Sequence, residues 1–395
     1  MELTDDECDH ALGREIKVHR KRRSLMNSYL GVQDDAETTR PGARSTSPKT
    51  VQVVHFGPQG EMPGGIAQVI NSYCTWKFET VEVSGVRTTY GKRNRKDPIR
   101  FAASVRRLMA LRLKKKRSLA IFHMSQRGSF VREGSLVILS RALGIPTAVQ
   151  LHGSEFPAHA DRHPRTTAWV LTSAHAVFTL TDKTSSAIKS VVRSPQDVRV
   201  IQIKNAVEIG ERPCGTTRTN SIVMAGELGR RKGVDVAIRA WRQLGECTDG
   251  WVLQLIGPRQ SDISEWPDLP RLEYAGVESH QRLMDRLCKT KIALLPARHE
   301  AMPMFILEAM AAGCAIISTP VGQIPEVVTA DVGILVGTDD ATALADAIQM
   351  LIADESRLSS MSRSSIGKIE ASYSSEKMAQ KLELEWLAII NAFGK

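Results

Sequence analysis

The chain has 395 residues, 42% hydrophobic and 24% charged, a length that suits two domains and a composition that excludes fibrous and disordered proteins. The apolar run Phe305 to Ile317 is interrupted by Glu308 and is too short to cross a bilayer. The acidic start, Met1 to His10, lacks an apolar core and is no secretory signal, and six scattered cysteines without a CxxC pair argue against a zinc site or disulfide framework and fit a reducing cytoplasm.

Residues 1–50 show little periodicity, carry nine charges of each sign, and end in the polar run Thr38 to Thr50, which predicts a flexible arm. Regular structure is expected from Val51-Gln-Val-Val-His-Phe56, a β-branched strand followed by the Gly/Pro-rich loop Gly57 to Gly65 and a helix over Ile66–Tyr73. The formal charge of +10 is concentrated between Arg87 and Arg117, where 13 Lys or Arg face one acid, Asp97. Such a stripe suits nucleic acid, an anionic membrane or a phosphorylated substrate, or is simply a solvated face. Strand-like runs follow at Leu119–His123, Thr147–Leu151 and Ala176–Leu180, with helical patterns between them, including a basic one at Phe101–Lys114. The polar stretch 208–220 reads as a linker between a domain at 51–207 and a second at 221–375. In the second, strands at Ile222–Ala225, Val252–Ile256, Leu272–Tyr274, Ile292–Leu295 and Ala315–Ser318 alternate with helices at about 234–244, 279–289, 304–312 and 340–353. A last helix, Met378–Phe393, falls within residues 376–395. Strand–helix alternation in both halves predicts two parallel α/β sheets with ligand crevices at the carboxyl ends of their strands.

Four segments carry chemistry. In Pro296-Ala-Arg-His-Glu300-Ala-Met-Pro303-Met-Phe-Ile-Leu-Glu308-Ala-Met-Ala-Ala-Gly313, a strand gives way to a loop, Pro303 can open a helix and Gly313 can close it. The free N–H groups of that first turn form an anion site, and Glu300 and Glu308 could bracket a ligand with an anionic middle and hydroxyl-bearing ends. On spacing alone they are equally a loop acid and a helix-surface acid. Met224-Ala-Gly226-Glu-Leu-Gly-Arg230-Arg231-Lys232-Gly233-Val-Asp235 also leaves a strand and opens a helix, with cations suited to phosphate, but it is no P-loop. Gly57-Pro-Gln-Gly60-Glu-Met-Pro-Gly64-Gly65 permits close approach of a ligand to backbone. Leu151-His152-Gly153 places a histidine where a strand ends; a lone histidine is more often structural than catalytic.

Together these segments resemble the family 4 glycosyltransferases over roughly residues 51–375. The most specific parts are the Glu-x7-Glu motif Glu300–Glu308, Gly313 to Gly322 and Ile324-Pro-Glu326. Met302-Pro303-Met304, Ile306 to Ala311 and His123-Met-Ser-Gln-Arg127-Gly-Ser129-Phe130 are similar to the branch that builds capsular and exopolysaccharides. The resemblance implies a GT-B fold of two facing Rossmann-like α/β domains and a retaining hexosyltransferase that needs no metal or other cofactor. Its donor would be a nucleotide-diphosphate sugar of UDP or GDP type, and its acceptor a glycan or polyprenyl-diphosphate-linked sugar. Glu300 would contact sugar hydroxyls and Glu308 the ribose. Lys232 would hold the diphosphate, and His152 would sit beside the transferring sugar. Gly64, Gly65, Gly226, Arg231, Met304 and Phe305 complete the expected donor site. The basic residues Arg112, Lys114, Lys115, Lys116 and Arg117 would meet the acceptor or an anionic membrane on the cytoplasmic face, and nucleic acid is not an expected partner. The final helix would return to the first domain. Two positions depart from the family pattern, Glu227 where arginine is usual and Gln323 where glycine is usual. Glu227 supports the alternative, a degenerate homologue that binds a nucleotide sugar or a partner without turnover. A different GT-B enzyme, such as an epimerase, fits the Glu-x7-Glu context less well.

Overall fold

A computed structural model describes residues 51–393 apart from Glu61, Pro63, 92–93, 115–116, 193–197, 211–216 and Glu265. The expected arm at 1–50 and the cations Lys115 and Lys116 lie outside the described residues. Six parallel strands form the first sheet: β1 (Val51–Gly57), β2 (Val81–Arg87), β3 (Ser118–Met124), β4 (Thr147–Leu151), β5 (Ala176–Thr179) and β6 (Arg199–Gln202), in the order β2-β1-β3-β4-β5-β6. The second sheet, also parallel, contains β7 (Thr219–Ala225), β8 (Val252–Ile256), β9 (Leu272–Gly276), β10 (Thr290–Leu295), β11 (Ala315–Ser318) and β12 (Gly333–Leu335), in the order β12-β11-β10-β7-β8-β9. In both, the strand order reverses direction beside the first strand, and loops from neighbouring strands splay apart there to leave a crevice.

The helices that cover the first sheet are α1 (Gly65–Thr75), α2 (Asp97–Leu113), α3 (Gly128–Ala142), α4 (Phe156–Arg162), α5 (Pro164–Thr172) and α6 (Asp182–Val191). Those of the second are α7 (Val234–Leu244), α8 (His280–Lys289), α9 (Met304–Ala311), α10 (Ile324–Val327), α11 (Ala341–Ile352) and α12 (Glu355–Ser372), and α13 (Ser375–Phe393) follows. Strands β3 and β10 are buried along almost their whole length, as central strands covered on both faces must be. Strands β2, β6 and β12, which the sequence reading passes over, are edge strands with half-exposed residues and so carry a weaker apolar signal. The linker expected at 208–220 ends within β7, which starts at Thr219.

The chain crosses between the sheets twice at one place. Val207 N–H donates to the carbonyl of Tyr373 (3.0 Å), and Ser375 N–H donates to the carbonyl of Val207 (2.9 Å). Beyond this point α13 lies on the first sheet. Its buried Glu383 accepts hydrogen bonds from the backbone N–H groups of Glu79, Thr80 and Val81 at 3.0, 2.5 and 3.0 Å, and from the Thr80 hydroxyl at 2.7 Å. Trp386 packs on Phe78 and Tyr73, and Arg199 pairs with Glu385 at 2.7 Å.

Candidate active site

The loops after β7, β10 and β11 meet at one end of the second sheet. The loop after β7 tightens into a 3-10 turn, Arg230–Lys232, and Gly233 follows with φ 78° at the start of α7. A side chain at Gly233 would collide with the carbonyl of Pro296, so only glycine lets this turn press against the end of β10. Arg298 fastens the two loops together. Its guanidinium holds both oxygens of Asp235 at 2.7 Å, pairs with Asp339 and donates to the Arg230 carbonyl, while its N–H donates to the Arg231 carbonyl at 2.9 Å. The doubly paired guanidinium is driven above its ordinary range by the hydrogen bonds it donates to Asp235.

This clamp aims two cations at one acid. Lys232 Nζ lies 2.5 Å from Glu300 Oε1, and Arg231 Nη1 lies 2.7 Å from the same oxygen and 3.1 Å from the His299 carbonyl. Burial pushes the Glu300 carboxyl up, but the charges of Lys232 and Arg231 outweigh it and hold the group below the usual carboxylate range. The Lys232 chain passes Gly226, with Cε 3.4 Å from where a β-carbon would stand. From the third loop, Gly322 comes so close to the Glu300 and Ala301 carbonyls that a β-carbon would strike both, and Gln323 N–H donates to the Ala301 carbonyl at 2.8 Å.

Helix α9 begins at Met304, so Pro303 precedes it with an extended ψ of 123° instead of forming its first residue. At the other end Gly313 N–H bonds the Met310 carbonyl and Cys314 N–H the Ala309 carbonyl, both at 2.9 Å, with Gly313 at φ 78°. Met304 and Phe305 bury their side chains in the core and are not among the residues that line the cavity between the halves. Glu308 is 5% exposed and does not share the cations of Glu300; its Oε1 lies 3.0 Å from His280 Nε2. That nitrogen also lies 3.0 Å from Gln68 Nε2 of α1, so the contact links the two halves. The hydrogen bond to Glu308 raises His280 above its ordinary value, against the effect of burial.

Across the crevice, Gly64 and Gly65 open α1, with no other atom within 4 Å of where their β-carbons would stand. A cavity of ≈ 400 Å³ joins the halves, lined by Ser154, Pro157 and Asp182 on one side and His299, Glu300 and Gln323 on the other. His152, two residues before Ser154, is half-buried, and its Nε2 lies 2.9 Å from His123 Nδ1. The structure therefore brings Lys232, Arg231, Gly226 and Glu300 together, with α9 starting four residues after Glu300 and Ser154, two residues past His152, across the cavity; His152 itself is not among the residues that line it. The structure does not bring in the basic cluster. Arg112, Lys114 and Arg117 are exposed where α2 leads into the amino end of β3, at the opposite end of the sheet from the crevice, and Arg117 bonds Asn391 of α13. A larger cavity of ≈ 620 Å³, between α3, α4 and α5, contains none of the expected donor residues. Among the described residues no three His, Cys, Asp or Glu side chains are grouped to hold a metal ion, and no helix is long and apolar enough to cross a membrane.

The glycosyl transferases group 1 family matches residues 219–354, the part of the chain that holds Lys232, Glu300 and Glu308. That segment is a glycosyl transferases group 1 domain. The chain is 29% identical to an exopolysaccharide phosphotransferase of Streptomyces coelicolor over 199 residues, 47% of this chain and 20% of that protein. It is 23% identical to the lipopolysaccharide core biosynthesis mannosyltransferase LpcC of Rhizobium leguminosarum bv. viciae over 234 residues, 56% of this chain and 66% of that protein. The chain thus spans less than two thirds of the length of each of these relatives. Among solved structures, Anabaena HepE in complex with UDP-glucose superposes with a TM-score of 0.63 at 14% identity, covering 85% of this chain and 99% of that one. The two facing parallel sheets are those of the GT-B fold.

Three residues of the group 1 domain and its surroundings escape a reading by motif. Arg298 lies inside the quoted Glu-x7-Glu segment, yet its partner Asp235 is 63 positions away. His280 sits one residue past the Ser279 helix cap, where nothing local marks it as a partner of Glu308. His123 lies within the quoted His123 to Phe130 segment, but its contact with His152 becomes visible only once β3 and β4 pair.

Proposed function

We propose that this chain is a retaining hexosyltransferase that moves a sugar from a UDP- or GDP-type nucleotide sugar to a glycan or polyprenyl-diphosphate-linked acceptor, in cell-surface polysaccharide synthesis on the cytoplasmic side of the membrane. The observation that carries it is the convergence of Lys232 and Arg231 on Glu300 at the foot of α9. A diphosphate entering there would take over the cations that Glu300 holds in its absence. The freed carboxylate would then accept from sugar hydroxyls, and the first-turn N–H groups of α9 would add donors to the phosphate oxygens. As the bond from the anomeric carbon to the diphosphate breaks, charge grows on the departing oxygens. Fixed cations and N–H dipoles stabilise it without a metal ion. Arg231 turns its guanidinium into the site, which offsets the acid at Glu227 and favours turnover over a binding-only role. The group 1 match and the UDP-glucose bound by HepE support a nucleotide-sugar ligand.

A thermal-shift screen of UDP, GDP and ADP sugars tests the reading, since a ligand at a hundredfold its Kd adds about 2.7 kcal/mol of stability. The expected result is a rise with one base, abolished in Lys232→Ala, together with sugar transfer to an acceptor. Binding without transfer would favour the degenerate homologue, and no response to any nucleotide sugar would remove the proposal.

A further inference from the structure

His55 of β1, His123 of β3 and His152 just past β4 share the face of the first sheet whose other positions are Val53, Ile121 and Ala148. His55 and His123 are fully buried. The three rings form a chain: His55 Nδ1 lies 2.7 Å from His123 Nε2, and His123 Nδ1 lies 2.9 Å from His152 Nε2. The last two rings stack with centroids 5.1 Å apart and planes at 20°. Trp386 of α13 closes the far end, its ring centroid 5.3 Å from that of His55. Burial holds all three well below the ordinary histidine range, His55 and His152 down to about 3. At neutral pH each ring therefore carries one proton.

Three neutral imidazoles in such a row have two consistent proton arrangements, one donating toward His152 throughout and one donating away from it. The end of the row decides between them. His55 Nε2 is buried with no hydrogen-bond partner. Donation toward His152 leaves a lone pair at that atom, whereas the reverse leaves an N–H there, and a buried N–H without a partner is the rarer defect. An N–H contact with the Trp386 ring is second-order and does not replace a hydrogen bond.

We propose that His55 and His123 are positioning residues that fix His152 as its Nδ1–H tautomer, so that His152 meets the substrate as a hydrogen-bond donor and not as a base. His152 Nε2 is occupied as an acceptor, and Nδ1 is the ring atom left for a sugar or phosphate oxygen. This consequence for catalysis rests on the proposed transfer reaction; the tautomer itself does not.

Ring-15N-labelled full-length protein gives the direct test through two-bond nitrogen–proton correlations. The expected spectra show protonated Nδ1 at His55, His123 and His152, unchanged between about pH 5.5 and 8. A protonated Nε2 on His152 would overturn the inference. Kinetics supply a second arm. His123→Asn keeps an N–H donor at the place of Nδ1, and His123→Leu removes it. The leucine variant should lower kcat on the order of tenfold to a hundredfold with the donor KM little changed, and asparagine should restore most of the rate. Equal rates in wild type and His123→Leu would overturn a positioning role. If no nucleotide sugar supports transfer, the proposed function fails, and the ring spectra of the unmodified protein still decide the tautomer.

Discussion

On the second-domain side of the crevice, Glu300 stays charged although burial works against it, because Lys232 and Arg231 stand on its carboxylate. On the first-domain side, burial strips charge from His152, His123 and His55, whose ring nitrogens meet one another and no ionised group among the described residues. Desolvation acts in the same sense on both sides, and an ionised partner makes the difference. A charged pair can exchange one anion for another, so the Lys232 side suits a ligand that brings its own charge. A neutral row cannot attract an anion, but it can hold a hydrogen bond in one direction. Within the Glu-x7-Glu motif the same contrast recurs: Glu300 has permanent cations, whereas Glu308 has His280, a partner that is charged only when protonated.

The largest effect is expected on the charged side. Lys232→Ala should reduce transfer by on the order of 10²–10³-fold, the scale for losing a fixed donor to developing charge, with the folded circular-dichroism spectrum retained. Arg231→Ala should cost less, since Arg231 is 42% exposed and reaches only the rim of the pair. Wild-type turnover in Lys232→Ala would break the contrast at its strongest point.

The neutral side should show itself in acid. His55 and His152 take up protons near 6.5 when unfolded but only at about 3 when folded. The unfolded state therefore gains protons that the folded state refuses, and stability falls as pH drops from about 6.5 toward 3. Each such histidine contributes about 1.4 kcal/mol per pH unit. His280, raised by Glu308, and Glu133, raised by burial, act in the opposite sense. The informative quantity is thus the difference between wild type and His55→Leu in urea unfolding from pH 7 to 4. Wild type should lose stability more steeply by roughly one proton per molecule. Parallel pH profiles would show that the row is not held neutral.

A smaller effect concerns the backbone that aims Lys232. Gly233→Ala introduces a β-carbon against the Pro296 carbonyl at φ 78°, which should destabilise the fold by about 1–3 kcal/mol and weaken donor binding. Gly128→Ala, with open space at that point, should leave the melting temperature within a few degrees of wild type. Equal melting temperatures for the two variants would mean that the turn relaxes freely.

These residues also mark how far the sequence can be read. The interior strands were legible because short, mostly apolar runs are bounded by turn residues: Thr147–Leu151, between Gly144-Ile-Pro146 and Gly153, and Val252–Ile256, between Gly250 and Gly257-Pro258, match their expected limits residue for residue. The half-exposed edge strands β2, β6 and β12 were not, because their side chains meet solvent on one side and read like loops. Within the site, Lys232, Glu300 and Glu308 stand in local patterns that a single segment displays. Arg298, His280 and the row of three histidines depend on partners brought near by strand pairing and domain crossing. Gln68 and His280 meet across 212 positions, a contact that no window of sequence contains.

The smallest expected effect on transfer lies farthest from the crevice. Arg112 and Lys114 are exposed near the end of α2, and Leu113 between them is 75% exposed. Cations around a bare apolar side chain suit the anionic headgroup layer of a membrane, where each basic residue contributes a factor of about five in binding. Neutralising Arg112 and Lys114 should therefore lower binding to vesicles containing phosphatidylserine by roughly twentyfold to thirtyfold at low salt. The loss should fade as salt screens the charges. Because these residues stand at the amino end of β3, away from Glu300 and Lys232, transfer to a soluble acceptor should be unchanged. A fall in soluble transfer would show that this end of the first sheet communicates with the crevice, and unchanged vesicle binding would leave the basic segment a solvated face.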